Sequence, residues 1–383
     1  MLIFAAACVV FFRLGVSYAS LIQSKWSKPV QVLAPTEANA RSNALSVMAV
    51  LVISVNLLSL WTIVRQNFDI VVGTLFGGQE TGARFKSEFV SAEGMLAANP
   101  LLILIAWMLY AERQAGNRSR RLLYLLLAAT VLSATLSVVK LARYELIPLL
   151  IGLALIKLRT SYNSRSETGA RPIKTILVYS GFGVAIFVFF ASLRGQLSGP
   201  NGVTANVTGY FLASFNRLAA IFDGSLIMSH EGTGIYVLNF LSNLPIIGPA
   251  IGTFLPNNSE VFVAEFADVE GAGLVRSYNW LTMYGYYYID LGIWVLPFCL
   301  IFGIMTQVAW KSFTEFRMLG TLLYPYLAAA LILSFSFYWI TRPLIASIVI
   351  FFVLYSAVNF LARSVPGSNS HRRGTPKLLP DDR

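Results

Sequence analysis

Seven uncharged stretches, at 42–64, 94–111, 122–139, 175–193, 291–310, 318–341 and 343–362, each run eighteen residues or more. Crossing about 30 Å of hydrocarbon takes roughly 20 helical residues, so each approaches or reaches the length of a bilayer span. Residues 1–22 form a further apolar stretch with Arg13 inside it, and 140–156 a shorter one headed by Lys140, Arg143 and Glu145. The chain is 56% hydrophobic and only 12% charged over 383 residues, more apolar surface than a soluble domain of that size can hide. The alternating short strands of an outer-membrane barrel are absent. The expectation is an all-α polytopic transmembrane bundle of about nine to twelve helices. It forms one integral membrane domain over 1–362, followed by a disordered tail over 363–383.

Charge sets the orientation. The net charge of +11 first suggests nucleic acid, but the basic residues fall in alternate loops. Lys25, Lys28 and Arg41 share one loop; Arg113, Arg118, Arg120 and Arg121 the next. Lys157, Arg159, Arg165, Arg171 and Lys174 follow, then Lys311 and Arg317, then the tail. Placing these loops in the cytoplasm leaves 19 basic and 6 acidic residues inside, against 9 and 12 outside. The positive charge is thus a topology signal, and no nucleic acid is expected as a partner. The C-terminus falls in the cytoplasm, and a cytoplasmic 23–43 loop puts Met1 outside unless another helix precedes it. The first residues lack the basic flank of a signal peptide. Cys8 and Cys299, both in apolar runs, read as small buried residues rather than a disulfide or metal pair.

Two larger outer segments, 65–93 and 194–290, and the short turn KLARYE at 140–145 face the opposite side. Between Glu231 and Glu260 the chain carries no charge, yet glycines and prolines interrupt it repeatedly. This favours broken or re-entrant segments, with an ordinary helix pair and an awkward loop as the alternative. Lys140, Arg143, Arg194, Arg217 and Arg276 put cations on the side that normally lacks them. Lys140 shares a helix face with Arg143 and Tyr144. Each arginine alone suits an interfacial anchor; together they suit an anion, since guanidinium grips phosphate in a bidentate manner. Any of Glu145, Asp223, Glu231, Glu260, Glu265, Asp268, Glu270 and Asp290 could take a proton from a sugar hydroxyl. Glu265, Asp268 and Glu270 could instead hold a divalent cation, but no Asp-x-Asp pair supports it. His230 reads as a plain loop residue. No Walker A loop, zinc-protease motif or serine elbow is present, and no duplicated halves suggest a repeat-built transporter.

The stretch NWLTMYGYYYIDLGIWVLPF, residues 279–298, sets Asn279, Trp280, Thr282 and four tyrosines before a long apolar helix. Asp290 reads as the N-cap of that helix, and most of the aromatic side chains as an interfacial belt. Asn279-x-x-Thr282, the aromatic turn and Tyr288-Ile289-Asp290-Leu291-Gly292, with Arg143 and Arg194 at their helix ends, resemble the bacterial oligosaccharide repeat-unit polymerases, the O-antigen (Wzy-type) polymerases. The resemblance covers roughly 120–320. It departs at Leu291, where that family usually has Phe, and in the side assigned to Met1.

The resemblance implies a GT-C-like, metal-independent membrane glycosyltransferase without cofactor in the bacterial inner membrane. It implies transfer of a growing glycan from undecaprenyl pyrophosphate onto the next lipid-linked repeat unit on the periplasmic face. A chain-length regulator is an implied partner beside the bilayer. On that view Arg194, Arg143 and Arg217, helped by Lys140, hold the leaving diphosphate, and Glu231 or Asp268 activates the acceptor. Tyr144, Arg276, Asn279, Trp280, Thr282 and Tyr286 contact the glycan. A lipid-linked oligosaccharide flippase, an O-antigen ligase, a membrane acyltransferase and a non-catalytic assembly subunit are the rivals.

Overall fold

The computed structural model describes residues 1–26, 35–66, 68, 99–139, 143–163, 170–193, 202–242, 244, 247–256, 258–275, 280–335 and 343–364. Among these residues all regular structure is helical, with no strand. The helices are α1 (Leu2–Trp26), α2 (Pro35–Gln66), α3 (Asn99–Gln114), α4 (Arg120–Val139), α5 (Arg143–Asn163), α6 (Ala170–Leu193) and α7 (Gly202–Phe222). There follow α8 (Ile235–Ser242), α9 (Gly248–Ile251), α10 (Asn258–Gly271), α11 (Met283–Leu291), α12 (Val295–Thr314), α13 (Met318–Ile332) and α14 (Pro343–Ser364). Among the described residues five stretches are long and apolar enough to cross a bilayer: Leu2–Gln23, Arg41–Thr62, Arg120–Val139, Ile173–Phe190 and Met283–Thr314. Large side chains such as Leu177, Val184 and Leu58 are exposed on them. That is the outward apolar surface of an integral membrane protein.

The middle of α3 is apolar on every side and lies at the centre. Leu102 through Leu109 are all buried, as expected of a helix enclosed by others. It packs against α2, α4, α5, α13 and α14. Gly152 of α5 makes room for Trp107, because a Cβ there would lie 2.1 Å from the indole. The indole N–H donates to the Leu149 carbonyl at 3.2 Å.

α1 packs along α12. A Cβ on Gly15 would lie 2.1 Å from the Leu300 carbonyl, and one on Gly303 2.1 Å from the Phe12 carbonyl. The two backbones touch because both helices offer glycine where they cross, the small-residue packing that membrane helices favour. Phe12 also meets Phe302, and Lys311 Nζ donates to the Gln23 carbonyl. Contacts advance together along both helices, so α1 and α12 run parallel.

The basic loops gather at one end. Arg41 pairs with Glu112 at 2.7 Å, and Asn117 donates to Ser42. Arg159 Nη1 donates to the Phe313 carbonyl and the Thr321 hydroxyl. The ends of α1, α3, α5 and α12 and the starts of α2, α4 and α13 thus share one face, as the charge alternation requires. The parallel pairing sets the start of α1 at the opposite end, with α11.

Two expected boundaries shift. The aromatic turn before 291 is itself helical, as α11, joined to α12 by a 3₁₀ turn over Gly292–Trp294. Gly292 has φ 54°, a left-handed value that glycine adopts without strain. The run 318–341 is interrupted after Ile332, where the Ser334 carbonyl accepts from the Met283 N–H at 2.7 Å. Between Glu231 and Glu260 lie two short helices, of eight and four residues, broken by the glycines and prolines that signalled the interruption. The loop at 69–93 and the tail beyond 364 lie outside the described residues.

Candidate functional site

At the end away from the basic loops, α11 is the hub. Thr282 caps it: the hydroxyl accepts from the Gly285 N–H at 3.1 Å. Gly285 lets the helix sit close to α7, since a Cβ there would meet Leu218 at 3.2 Å. Tyr286 is fully buried, its ring 4.8 Å from that of Tyr236, while Tyr288 joins Phe4 and Phe222 in an aromatic cluster.

Asp290 does not start the following helix. It is the eighth residue of α11, and its carboxylate caps a different helix. Its oxygens accept from the N–H groups of Gly234 at 3.1 Å, Tyr236 at 2.7 Å and Val237 at 3.0 Å. These amides open α8, the first two without another acceptor and Val237 also donating to the Gly234 carbonyl at 3.2 Å, and an anion there suits the helix dipole. The Gly232 N–H donates to the Ile289 carbonyl, so α11 holds the whole 232–237 turn.

Arg217, deep in α7, is 2% exposed. Its Nη2 donates to the Val275 carbonyl at 2.7 Å and its Nη1 to the Trp280 carbonyl at 3.3 Å. Nε has no hydrogen-bond partner among the described residues. Burial draws the guanidinium pKa down to about 10, opposed by nearby Tyr286 and Glu265, and it stays charged at neutral pH. Arg217 therefore clasps the two sides of the 276–279 connection. Glu265, 3% exposed, sits on the buried stripe Val261–Glu265–Val269 of α10. A carboxylate on an apolar helical stripe at i, i+4, i+8 was the sequence signal for its burial.

Asp268, on the same helix just before Val269, ties α10 to the turn before α8. One oxygen accepts from the Ser229 N–H at 2.8 Å and the other from the Ser229 hydroxyl. Glu231, two residues further along that turn, is exposed. The two carboxylates expected as bases thus lie on neighbouring segments, with Asp268 engaged and Glu231 open to solvent.

Of the expected glycan contacts, Thr282 and Tyr286 are inside, occupied with capping and packing, and Trp280 is half-buried. Arg143 and Tyr144 open α5, and their side chains lie outside the described residues, as do Lys140, Arg194, Arg276 and Asn279. No described contact links α5 to the Arg217 cluster. Among the described residues no group of histidine, cysteine and carboxylate side chains is arranged to hold a metal ion.

Sequence reasoning missed two further clusters. Cys8 and Cys299, both buried and free, share a side-chain hydrogen bond across α1 and α12. At the basic end, Arg159 lies between the rings of Phe313 and Phe316, at 4.5 and 4.2 Å from their centroids. Burial and the nearby Arg41 draw its pKa down to about 10, against the pull of Glu112. Phe316 holds its ring there from a left-handed φ of 59°.

Comparison with family models, with curated proteins and with solved structures returns no match. Fold and surface define a class: an all-helical integral membrane protein with a buried polar cluster at the end opposite its basic loops.

Proposed function

We propose that the protein extends lipid-linked glycans, acting as a GT-C-like glycosyltransferase of the inner membrane on undecaprenyl-pyrophosphate-linked repeat units at the face opposite its basic loops. The observation carrying this reading is the convergence of Arg217, Asp268, Glu231 and the 280–290 segment at that end of the bundle. On this reading the short helices α8 and α9 belong to a re-entrant wall of the site. The acceptor hydroxyl gives its proton to Glu231 and attacks the anomeric carbon of the growing chain. The bond from that carbon to the diphosphate oxygen breaks, and the carrier leaves as an anion. Arg194 and Arg143, assisted by Lys140, stabilise that anion in a site drier than bulk water. Glu231 suits the base better than Asp268, whose oxygens are engaged by Ser229. Arg217 acts by holding the segment that carries Arg276 and Asn279 rather than by touching the diphosphate, because its guanidinium is enclosed. The C-terminus faces the cytoplasm in this arrangement.

Deleting the gene in the producing bacterium and resolving surface polysaccharide on a gel tests the reading. Loss of a polymerase leaves single repeat units on the lipid core; loss of a flippase or ligase removes the glycan altogether. Arg194→Ala at normal protein abundance is expected to reproduce the single-unit pattern, and a normal ladder in the deletion strain refutes the proposal.

A further inference from the structure

Arg13 has no place in the chemistry above. It is the twelfth residue of the 22-residue apolar span Leu2–Gln23, about three helical turns from either end. A side chain snorkelling from there falls short of both headgroup layers, and a charge at such depth persists only against a counter-charge or a wet cavity. Neither is present among the described residues, and Arg13 is exposed.

The two faces of α1 differ. Cys8, Phe12, Gly15 and Ala19 turn toward α12. Ala6, Val10, Arg13, Ser17 and Ser20 are exposed, lie roughly 150° round the helix, and alternate spacings of four and three. That is the spacing of a helix–helix seam, with Val10 and Ser17 one turn to either side of the arginine. The Ser20 hydroxyl is satisfied within its own helix by the Ser17 carbonyl, which keeps the seam low.

We propose that this face of α1 docks a membrane-spanning helix of a partner protein that carries a carboxylate level with Arg13. Charge complementarity selects the occupant. A second copy docking through the same face would set arginine against arginine. The only carboxylate in the other bilayer-length stretches of the described chain is Asp290, engaged by the amides of α8. A diphosphate needs several converging donors, whereas this seam offers one cation on a straight rod. The inference is independent of the glycan reading.

The test uses the full chain in nanodiscs and a labelled leucine-rich transmembrane peptide with one Asp at its midpoint, beside the same peptide with Leu there. Energy transfer reports association. The Asp peptide is expected to bind at least ten-fold more tightly than the Leu peptide, with the preference lost in Arg13→Leu. Copper-phenanthroline cross-linking of Cys8 to Cys299 verifies that Arg13→Leu keeps α1 on α12. Equal binding of both peptides, or a preference that survives Arg13→Leu, overturns the proposal. So does an Arg13-dependent dimer in single-molecule photobleaching, which assigns the face to a second copy. Arg13-dependent retention of anionic lipid in native mass spectrometry, without peptide discrimination, assigns it to lipid and likewise overturns the proposal.

Discussion

Replacing Asp290 by Ala removes one carboxylate and strands two backbone donors, Gly234 and Tyr236, while the Val237 N–H keeps the Gly234 carbonyl at 3.2 Å. Gly234, Tyr236 and Val237 all give their N–H groups to it, and the site is only part-buried, so water can reach some of them. Leaving a buried donor unpaired costs about 1–3 kcal/mol, and the low end applies here. Two donors at about 1 kcal/mol each come to about 2 kcal/mol, the upper end of the ~0.5–2 kcal/mol usual for losing an N-cap. The loss falls on α8, which at eight residues has little stability of its own. At about 1.4 kcal/mol per factor of ten, amide exchange across 234–237 should accelerate about thirty-fold. Hydrogen–deuterium exchange of the protein in nanodiscs reads this directly. Asp290→Asn keeps one acceptor oxygen and should lose about half of the protection energy, accelerating exchange about five-fold. Wild-type exchange rates across 234–237 in Asp290→Ala would refute the trans-capping account.

Gly303→Leu should push α1 off α12, because even the Cβ meets the Phe12 carbonyl; the Cys8–Cys299 oxidative cross-link formed by the wild type should then be lost on non-reducing gels. Glu112→Gln leaves Arg41 and Arg159 without their shared carboxylate and should destabilise the basic end by about 1–3 kcal/mol in detergent melts; adding Arg41→Gln should recover part of that loss. Arg217→Met should cost about 2–4 kcal/mol locally and raise amide exchange over the first turn of α11, with Arg217→Lys intermediate because an ammonium cannot span both carbonyls. Under the proposed glycan chemistry, Glu231→Gln should shorten the polysaccharide ladder to single units while Asp268→Asn leaves longer chains, read by gel at matched protein levels.

Much of the architecture was legible in order and polarity. Charge-free length announced the spans at 42–64, 122–139 and 175–193, and alternating basic loops announced which ends meet. The glycines and prolines between 232 and 256 announced a broken segment. Asp290 was legible as a capping residue but not as the cap of a helix that begins far earlier in the chain, since capping by a neighbour in space leaves no spacing to read. Thr282, the true cap of α11, carried the usual signal, a hydroxyl just before a helix. Arg217 and Glu265 were visible as charges amid apolar residues. Their burial depended on which elements closed over them.

The sequence alone settled that this chain is helical and lives in a bilayer, because hydrophobic length and charge asymmetry act residue by residue against lipid and water, whatever the contacts. Only the tertiary structure decided that α1 lies parallel to α12, that Cys8 touches Cys299, that Arg217 is spent on backbone carbonyls and that Arg13 is left facing outward. Those outcomes depend on which helix faces meet. That choice is made by shape, at glycines such as Gly15 and Gly303 where two backbones approach, and shape between distant segments is not written in local pattern.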